Sequence, residues 1–469
     1  MTGRDLRPWL VAAGLWLVLA LHAFCDPHPP DGVWGAAPVL GFSPALRGVA
    51  LALAAALAFP PLAQRLVGSC RSALRRLAGG LAGVPAAAWI ALLVAAGWIL
   101  RGRALTGDGP DTIENLRRGE LINYKEPLDR LLTALVYRAG HALIGWDAGI
   151  AIAFVSVAAG ALYWAALLRL ARRRPLGEGG AWAVWLLIAT PGAVALFFGH
   201  VENYSLLTAG TAWTLVLAVE AAADPGRPLW PAALAFGLTF ATHLSAAWLG
   251  TVLPVVWLVR VREANGGRWP DWSGWRPVIG EAIRGALVSV LPFAAVVAGM
   301  LAGGVGLGGF SAKEFGGGDG KLFVPLFKVE TPFERFTMFS SAHFAGFGNE
   351  LLLVAPAGLA LALVGWLGRR SDGRRTDAGT WPLVAAAAGT ALYAFVFNPD
   401  MMAAAPRLGV MNEWDLFAFE AVPITMLGLW WLRTAFEPGD VRDGVALSVG
   451  ATALVHLIGW ICLNAGIRL

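Results

Sequence analysis

The side chains most able to do chemistry gather in a few short stretches of this chain. One is LTGDGPDTIENL, Leu105 to Leu116, where Asp108, Asp111 and Glu114 fall within seven residues. Carboxylates at such spacing can act as general bases, accept hydrogen bonds from hydroxyl groups or ligate a divalent cation. They also suit the start of a helix. Pro110 is favoured at a first helical position, and acids in a first turn complement the helix dipole. That accounts for Asp111 and Glu114. It accounts less well for Asp108, which stands between Gly107 and Gly109 and is open to close approach by a ligand.

Other stretches carry complementary groups. In NYKEPLDRLL, Lys125 and Glu126 precede a proline and an amphipathic run. A lysine there either snorkels to a lipid headgroup or faces a phosphate. FFGHVENYSLL sets His200, Glu202, Asn203 and Tyr204 on a tight turn between two apolar runs. An acid at a bilayer boundary is costly unless paired or ligated, and this turn is richer than a turn requires. FATHLSAAW places His243 at a break in a long apolar segment, where a histidine serves equally as a structural hydrogen-bonder. His343 ends a second long polar stretch. NPDMMAAAPRLGVMNEWDLF brings Asp400, Arg407, Glu413 and Asp415 together, with Arg407 its only cation and a candidate phosphate partner. His200, Glu202 and Asp108 are able to hold a divalent ion, though their spacing does not require one. No HExxH, CxxC, P-loop or dinucleotide fingerprint is present, so nucleoside triphosphate chemistry is not expected.

These groups must be positioned by apolar elements. The chain has 469 residues, 57% apolar and 14% charged, against about 25% charged in soluble domains. The pattern predicts an all-α polytopic membrane protein. Its apolar runs are continuous rather than alternating, which excludes a β-barrel. About thirteen spans are expected, near 8–24, 46–62, 83–100, 147–170, 181–198, 203–220, 229–243, 245–259, 284–302, 349–368, 380–398, 415–433 and 443–463. The basic, apolar N-terminus has no A-x-A-like site close behind it and reads as a retained first helix. Residues 1–82 then hold two N-terminal helices. Residues 83–302 form a core of seven helices with a long loop at 101–146. Residues 303–348 form a second loop, with Gly316, Gly317 and Gly318 suited to a mobile lid, and 349–469 hold the C-terminal helices.

With the N-terminus in the cytoplasm, arginine-rich loops such as Arg172, Arg173 and Arg174 lie inside, as the positive-inside rule asks. The net charge of +5 follows from these flanking arginines, with no nucleic-acid partner expected. Every candidate residue above then falls on the extracytoplasmic face. Loop 101–146 breaks the rule with Arg101, Arg103, Arg117, Arg118, Lys125, Arg130 and Arg138. An anionic ligand would account for it.

From about Pro85 to Arg260 the chain resembles the GT-C superfamily of integral-membrane glycosyltransferases. The likeness is greatest to the protein O-mannosyltransferase and aminoarabinose-transferase branch. The corresponding pieces are GDGPDTIENL, RRGELIN, YKEPLDRLL, LIGWD and, later, GLTFATHLS, where His243 replaces the usual lysine. Gly109 stands where a second acid usually follows the first, KEP replaces KPP, and helices 8–24 and 46–62 precede the family's usual start.

The resemblance implies a GT-C-like architecture in the cytoplasmic (inner) membrane, with the active site on the extracytoplasmic face. It implies transfer of a sugar from a polyprenyl-phosphate-linked donor to a hydroxyl of a glycan, lipid or protein, with inversion. Asp108 would be the general base. Lys125, supported by Arg407 and His343, would stabilise the lipid phosphate. Asp111, Glu114, Glu126, His200, Glu202, Asn203, Tyr204 and His243 would surround sugar or acceptor, and Asp108, Glu202 and His200 would be the ligands of any divalent cation. The rival reading is a transporter or flippase for a lipid-linked or anionic solute. Buried charges inside helices would favour it, whereas the sequence sets its charges at helix ends and in loops.

Overall fold

In hydrocarbon a backbone must satisfy its own hydrogen bonds, so apolar runs fold as helices. The computed structural model describes residues 6–28, 32–83, 85–103, 105, 107–173, 181–269, 272–310, 322–330, 334, 336–367, 377–397 and 414–469. The helices are α1 (Arg7–Phe24), α2 (Pro44–Leu57), α3 (Pro60–Gly83), α4 (Ala86–Ile99), α5 (Gly109–Arg117), α6 (Pro127–Ile144), α7 (Ala148–Arg173), α8 (Ala181–Ala189) and α9 (Ser205–Ala223). They continue as α10 (Trp230–Thr242), α11 (Val252–Ala264), α12 (Trp272–Ala302), α13 (Ser341–Val354), α14 (Gly358–Leu367), α15 (Thr380–Val396), α16 (Ala421–Ala435) and α17 (Asp440–Ala465). No strand is seen among the described residues.

Six described helices are long and apolar enough to cross a membrane, or seven if a bent pair counts as one span. Three shorter apolar helices accompany them. Several expected spans are divided. Residues 181–198 form α8 and then a 3-10 helix, Gly192–Phe197, after Pro191. Residues 349–368 are split between α13 and α14 at Pro356. Proline lacks the N–H that would continue the helix and disfavours helical geometry in the residue before it. The segment 229–259 breaks at His243, as its sequence indicates. His243 is extended, and a 3-10 turn, Leu244–Leu249, leads into α11.

Lipid tails are as apolar as leucine, so helices in a membrane associate through close packing and hydrogen bonds rather than hydrophobic burial. Small residues mark the contacts here. A Cβ on Gly210 would lie 2.4 Å from Thr239 Oγ1, and one on Gly237 would lie 2.3 Å from the Ser289 carbonyl. These glycines let α9, α10 and α12 meet. A core of Tyr163, Ile188, Leu207 and Phe419 joins α7, α8, α9 and the turn before α16.

The N-terminal helices pack on the C-terminal one. A 3-10 segment, Trp34–Gly41, meets α2 at 114° and lies against α13 and α17. Its Gly35 N–H donates to Asn349 Oδ1 at 2.9 Å. His22 on α1 and His456 on α17 share a hydrogen bond of 2.8 Å.

Charges divide between the two ends of the bundle. Near the end of α9, Glu220 binds Arg169 at 2.7 Å and Arg227 at 2.6 Å, while Arg260 binds Glu281 at 2.9 Å. These arginines satisfy the buried Glu220 and the half-buried Glu281. The start of α9 lies roughly 22 Å away, at 1.5 Å per residue, and there several of the candidate residues meet.

Candidate active site

Asp108 owes its place to two glycines. Gly107 has φ +53°, a left-handed conformation that favours glycine. Gly109 opens α5 against the turn before α9, and a Cβ there would lie 2.7 Å from the Val201 carbonyl. No larger residue fits without displacing backbone, which explains why an acid does not follow Asp108. Asp108 occupies the N-cap position, yet its side chain makes no cap hydrogen bond. It is exposed beside Glu202, whose Cγ would be 3.8 Å from that same Cβ.

Glu126 is the hub of the first cluster. It is buried, and its Oε2 accepts from Asn203 Nδ2 at 2.5 Å and from Asn123 Nδ2 at 3.2 Å. Burial raises its pKa above the ordinary carboxylate value. Arg130 and Lys125 oppose that rise, while Asp108 adds to it. Both Asp108 and Lys125 are thus within electrostatic reach of one carboxyl. Lys125 is held by its backbone: its N–H donates to Asn123 Oδ1 at 2.9 Å, and its carbonyl accepts from Leu244 N–H at 2.9 Å. The first loop is thereby tied to the break at His243.

His243 accepts from Ser245 N–H at 3.1 Å through Nδ1, so the proton of the neutral ring sits on Nε2, which lies 3.8 Å from Glu126 Oε1. Burial, with Lys125 nearby, lowers its pKa to about 3, and the ring is neutral at ordinary pH. Tyr204 packs on it with centroids 5.1 Å apart.

A second cluster adjoins the first. His200, Glu202 and Asp415 are all buried, and one ligand atom from each lies within 4.8 Å of the others. His200 Nε2 and Asp415 Oδ2 are 2.7 Å apart. This set is suited to a divalent cation, and it takes Asp415 where the sequence pointed to Asp108. Asp415 also acts electrostatically on His243 and on Glu350.

Other predicted residues fall elsewhere. Glu114 pairs with Arg118 at 3.1 Å on the exposed face of α5, and Asp111 is exposed in that helix's first turn. His343 packs between Phe336 and Phe395, with Nδ1 2.7 Å from the Met338 carbonyl. A carbonyl only accepts, so Nδ1–H donates to Met338 and, with the two phenyl rings, fixes the imidazole. Arg407 lies outside the described residues. The basic excess of loop 101–146 is partly structural: Arg130 is buried and donates to Thr112, joining α6 to α5, and Arg101 stacks on Trp98.

Asp415, Glu350 and Glu420 are buried acids that the sequence does not single out as site residues. Asp415 stood there as one charge among four on a polar stretch. Glu350 and Glu420 sit at the edges of apolar runs, and an acid entering an apolar run was the available signal.

No protein-family model matches the chain, and no curated protein matches its sequence. Its structure is similar to that of ArnT from Cupriavidus metallidurans bound to undecaprenyl phosphate. The TM-score is 0.50 at 13% identity, over 81% of this chain and 76% of that one. This chain has the fold of ArnT. ArnT in its apo state aligns at TM-score 0.47 and 15% identity, over 81% of this chain and 77% of that one. At such identity the likeness to ArnT is one of fold, and the side chains must be argued from their own geometry.

Proposed function

We propose that this protein is a membrane glycosyltransferase that moves a sugar from a polyprenyl-phosphate-linked donor to a hydroxyl acceptor on the extracytoplasmic face of the cytoplasmic membrane. The observation that carries the reading is the convergence of Asp108, Lys125, Glu126 and Glu202 at one end of a bundle with the ArnT fold. The ArnT structure holds undecaprenyl phosphate, a ligand of the chemical class this reading assigns to the leaving group.

In the proposed reaction Asp108 takes the proton of the acceptor hydroxyl. The oxygen attacks the anomeric carbon from the face opposite the phosphate, and the bond from that carbon to the phosphate oxygen breaks. The polyprenyl phosphate leaves with the electron pair, and the anomeric centre inverts. A phosphate is a weak base, so it needs cationic stabilisation more than a proton, and Lys125 supplies it. Asp108 suits the base because it is exposed at the start of α5, beside Glu202. Glu126 and Asn203 are fixed by each other and serve to hold sugar hydroxyls and Lys125 in place. A divalent cation held by His200, Glu202 and Asp415 would order the same hydroxyls.

A second reading draws on Glu350 and Glu420. Acids buried beside apolar helices also occur in transporters. Incubating detergent-purified protein with polyprenyl-phosphate sugars separates the two. Release of free polyprenyl phosphate supports transfer. Donor flux in proteoliposomes with no release supports transport and overturns the transferase.

A further inference from the structure

Glu350 lies in α13 and is 2% exposed, and neither carboxylate oxygen has a hydrogen-bond partner among the described residues. It lines a cavity of about 20 Å³ together with Phe336, His343, Phe347, Phe397 and Phe417. Glu420, 0% exposed, also has both oxygens without a hydrogen bond among the described residues, and both it and Asp415 are within electrostatic reach of Glu350. The region therefore gathers buried acids beside an aromatic wall. Leaving a buried carboxylate without a compensating group is costly.

The lining determines what would compensate it. A metal ion takes four or more oxygen or nitrogen ligands, but these side chains supply one carboxylate and one imidazole. Phenyl faces carry the negative side of the ring quadrupole and attract organic cations. His343 adds an acceptor, because its Nδ1–H is directed to the Met338 carbonyl and the neutral ring keeps a lone pair on Nε2. Carboxylate, acceptor nitrogen and aromatic faces together match an N–H-bearing cation. The size limits it to a single small group, since about one water fills a comparable space.

We propose that this cavity is a binding site for a compact primary ammonium group, with Glu350 as its counter-ion, His343 Nε2 as a hydrogen-bond acceptor and the four phenylalanines as its walls. The site lies within electrostatic reach of Asp415, and the proposal does not depend on the transferase reading.

The test is thermal unfolding of the full-length protein in phosphatidylcholine nanodiscs, titrated with methylammonium chloride and, at equal ionic strength, with potassium chloride or tetramethylammonium chloride. A saturable rise in midpoint with methylammonium alone is expected. Glu350→Gln, nearly isosteric, should abolish that response while melting cooperatively. Phe397→Leu should weaken half-saturation roughly two- to thirtyfold, the contribution of one desolvated ring. Repeating the titration in phosphatidylethanolamine nanodiscs identifies the source. A midpoint already raised and no longer responsive indicates the lipid headgroup, and an unchanged response indicates a soluble amine. Equal shifts with all three salts, no shift with any lipid or salt, or an undiminished response in Glu350→Gln would overturn the proposal.

Discussion

At the scale of single residues, Asp108 is exposed at the start of α5 beside Glu202, and its side chain does not cap that helix. Lys125 is fixed through its backbone. Lys125→Ala is therefore expected to raise the KM for the lipid-linked donor about tenfold or more with a smaller change in kcat, since a half-buried charge-assisted contact to phosphate is lost. Steady-state kinetics with donor and acceptor varied separately would check it, and an effect confined to the acceptor would contradict the role. Glu126 allows a test by pH. Burial raises its folded pKa above the unfolded value, so folding binds the proton more tightly, and stability is lost as pH rises from the unfolded pKa through the folded one. Glu126→Gln should melt higher than the wild type at neutral pH, with the gap closing as pH falls through that window. A constant gap would show that Glu126 does not titrate in that window. Asp108, Lys125, Glu126 and Glu202 were legible in sequence because each sits in a short polar stretch beside an apolar one. Glu350 and Glu420 were less so, because an acid entering an apolar run hints at burial without showing what it faces.

At the scale of elements, apolar runs announced the helices, and the extended break at His243 followed from length. The divisions at Pro191 and Pro356 separate segments that hydropathy alone joins. The 3-10 segment Trp34–Gly41 was not legible, because it is short, contains Pro38 and has no helical period. The contact of α5 with the turn before α9 depends on Gly109. Gly109→Ala should push the start of α5 off the Val201 carbonyl and lower kcat roughly tenfold to a hundredfold, as small misplacements of a reacting group do, with the fold retained. Wild-type kcat in that variant would show that Asp108 needs no such placement. The sequence also left Asp415 unselected, since its bond to His200 spans 215 positions and no local spacing signals it.

At the scale of the whole molecule, the N-terminal helices are packed into the body of the protein. His22 and His456 join α1 to α17, and His456 Nε2 lies 2.8 Å from the Leu353 carbonyl on α13. His456→Leu should cost about 1–3 kcal/mol, the penalty of leaving a buried polar group unsatisfied, read as a lower midpoint in denaturant. An unchanged midpoint would contradict the lock. No pattern in the sequence foretold this pairing of its two ends. The architecture as a whole was legible, because composition and apolar length already demanded a helical membrane protein and the short motifs resembled GT-C enzymes. The fold of ArnT agrees. The central claim is that this fold carries a transferase whose base is Asp108. The most direct measurement is release of free polyprenyl phosphate by purified wild-type protein and by Asp108→Asn, given a polyprenyl-phosphate sugar and a hydroxyl acceptor. The account predicts turnover by the wild type and a loss of roughly 10²–10⁴-fold in the variant, with both proteins equally folded. Equal turnover by the two would contradict it.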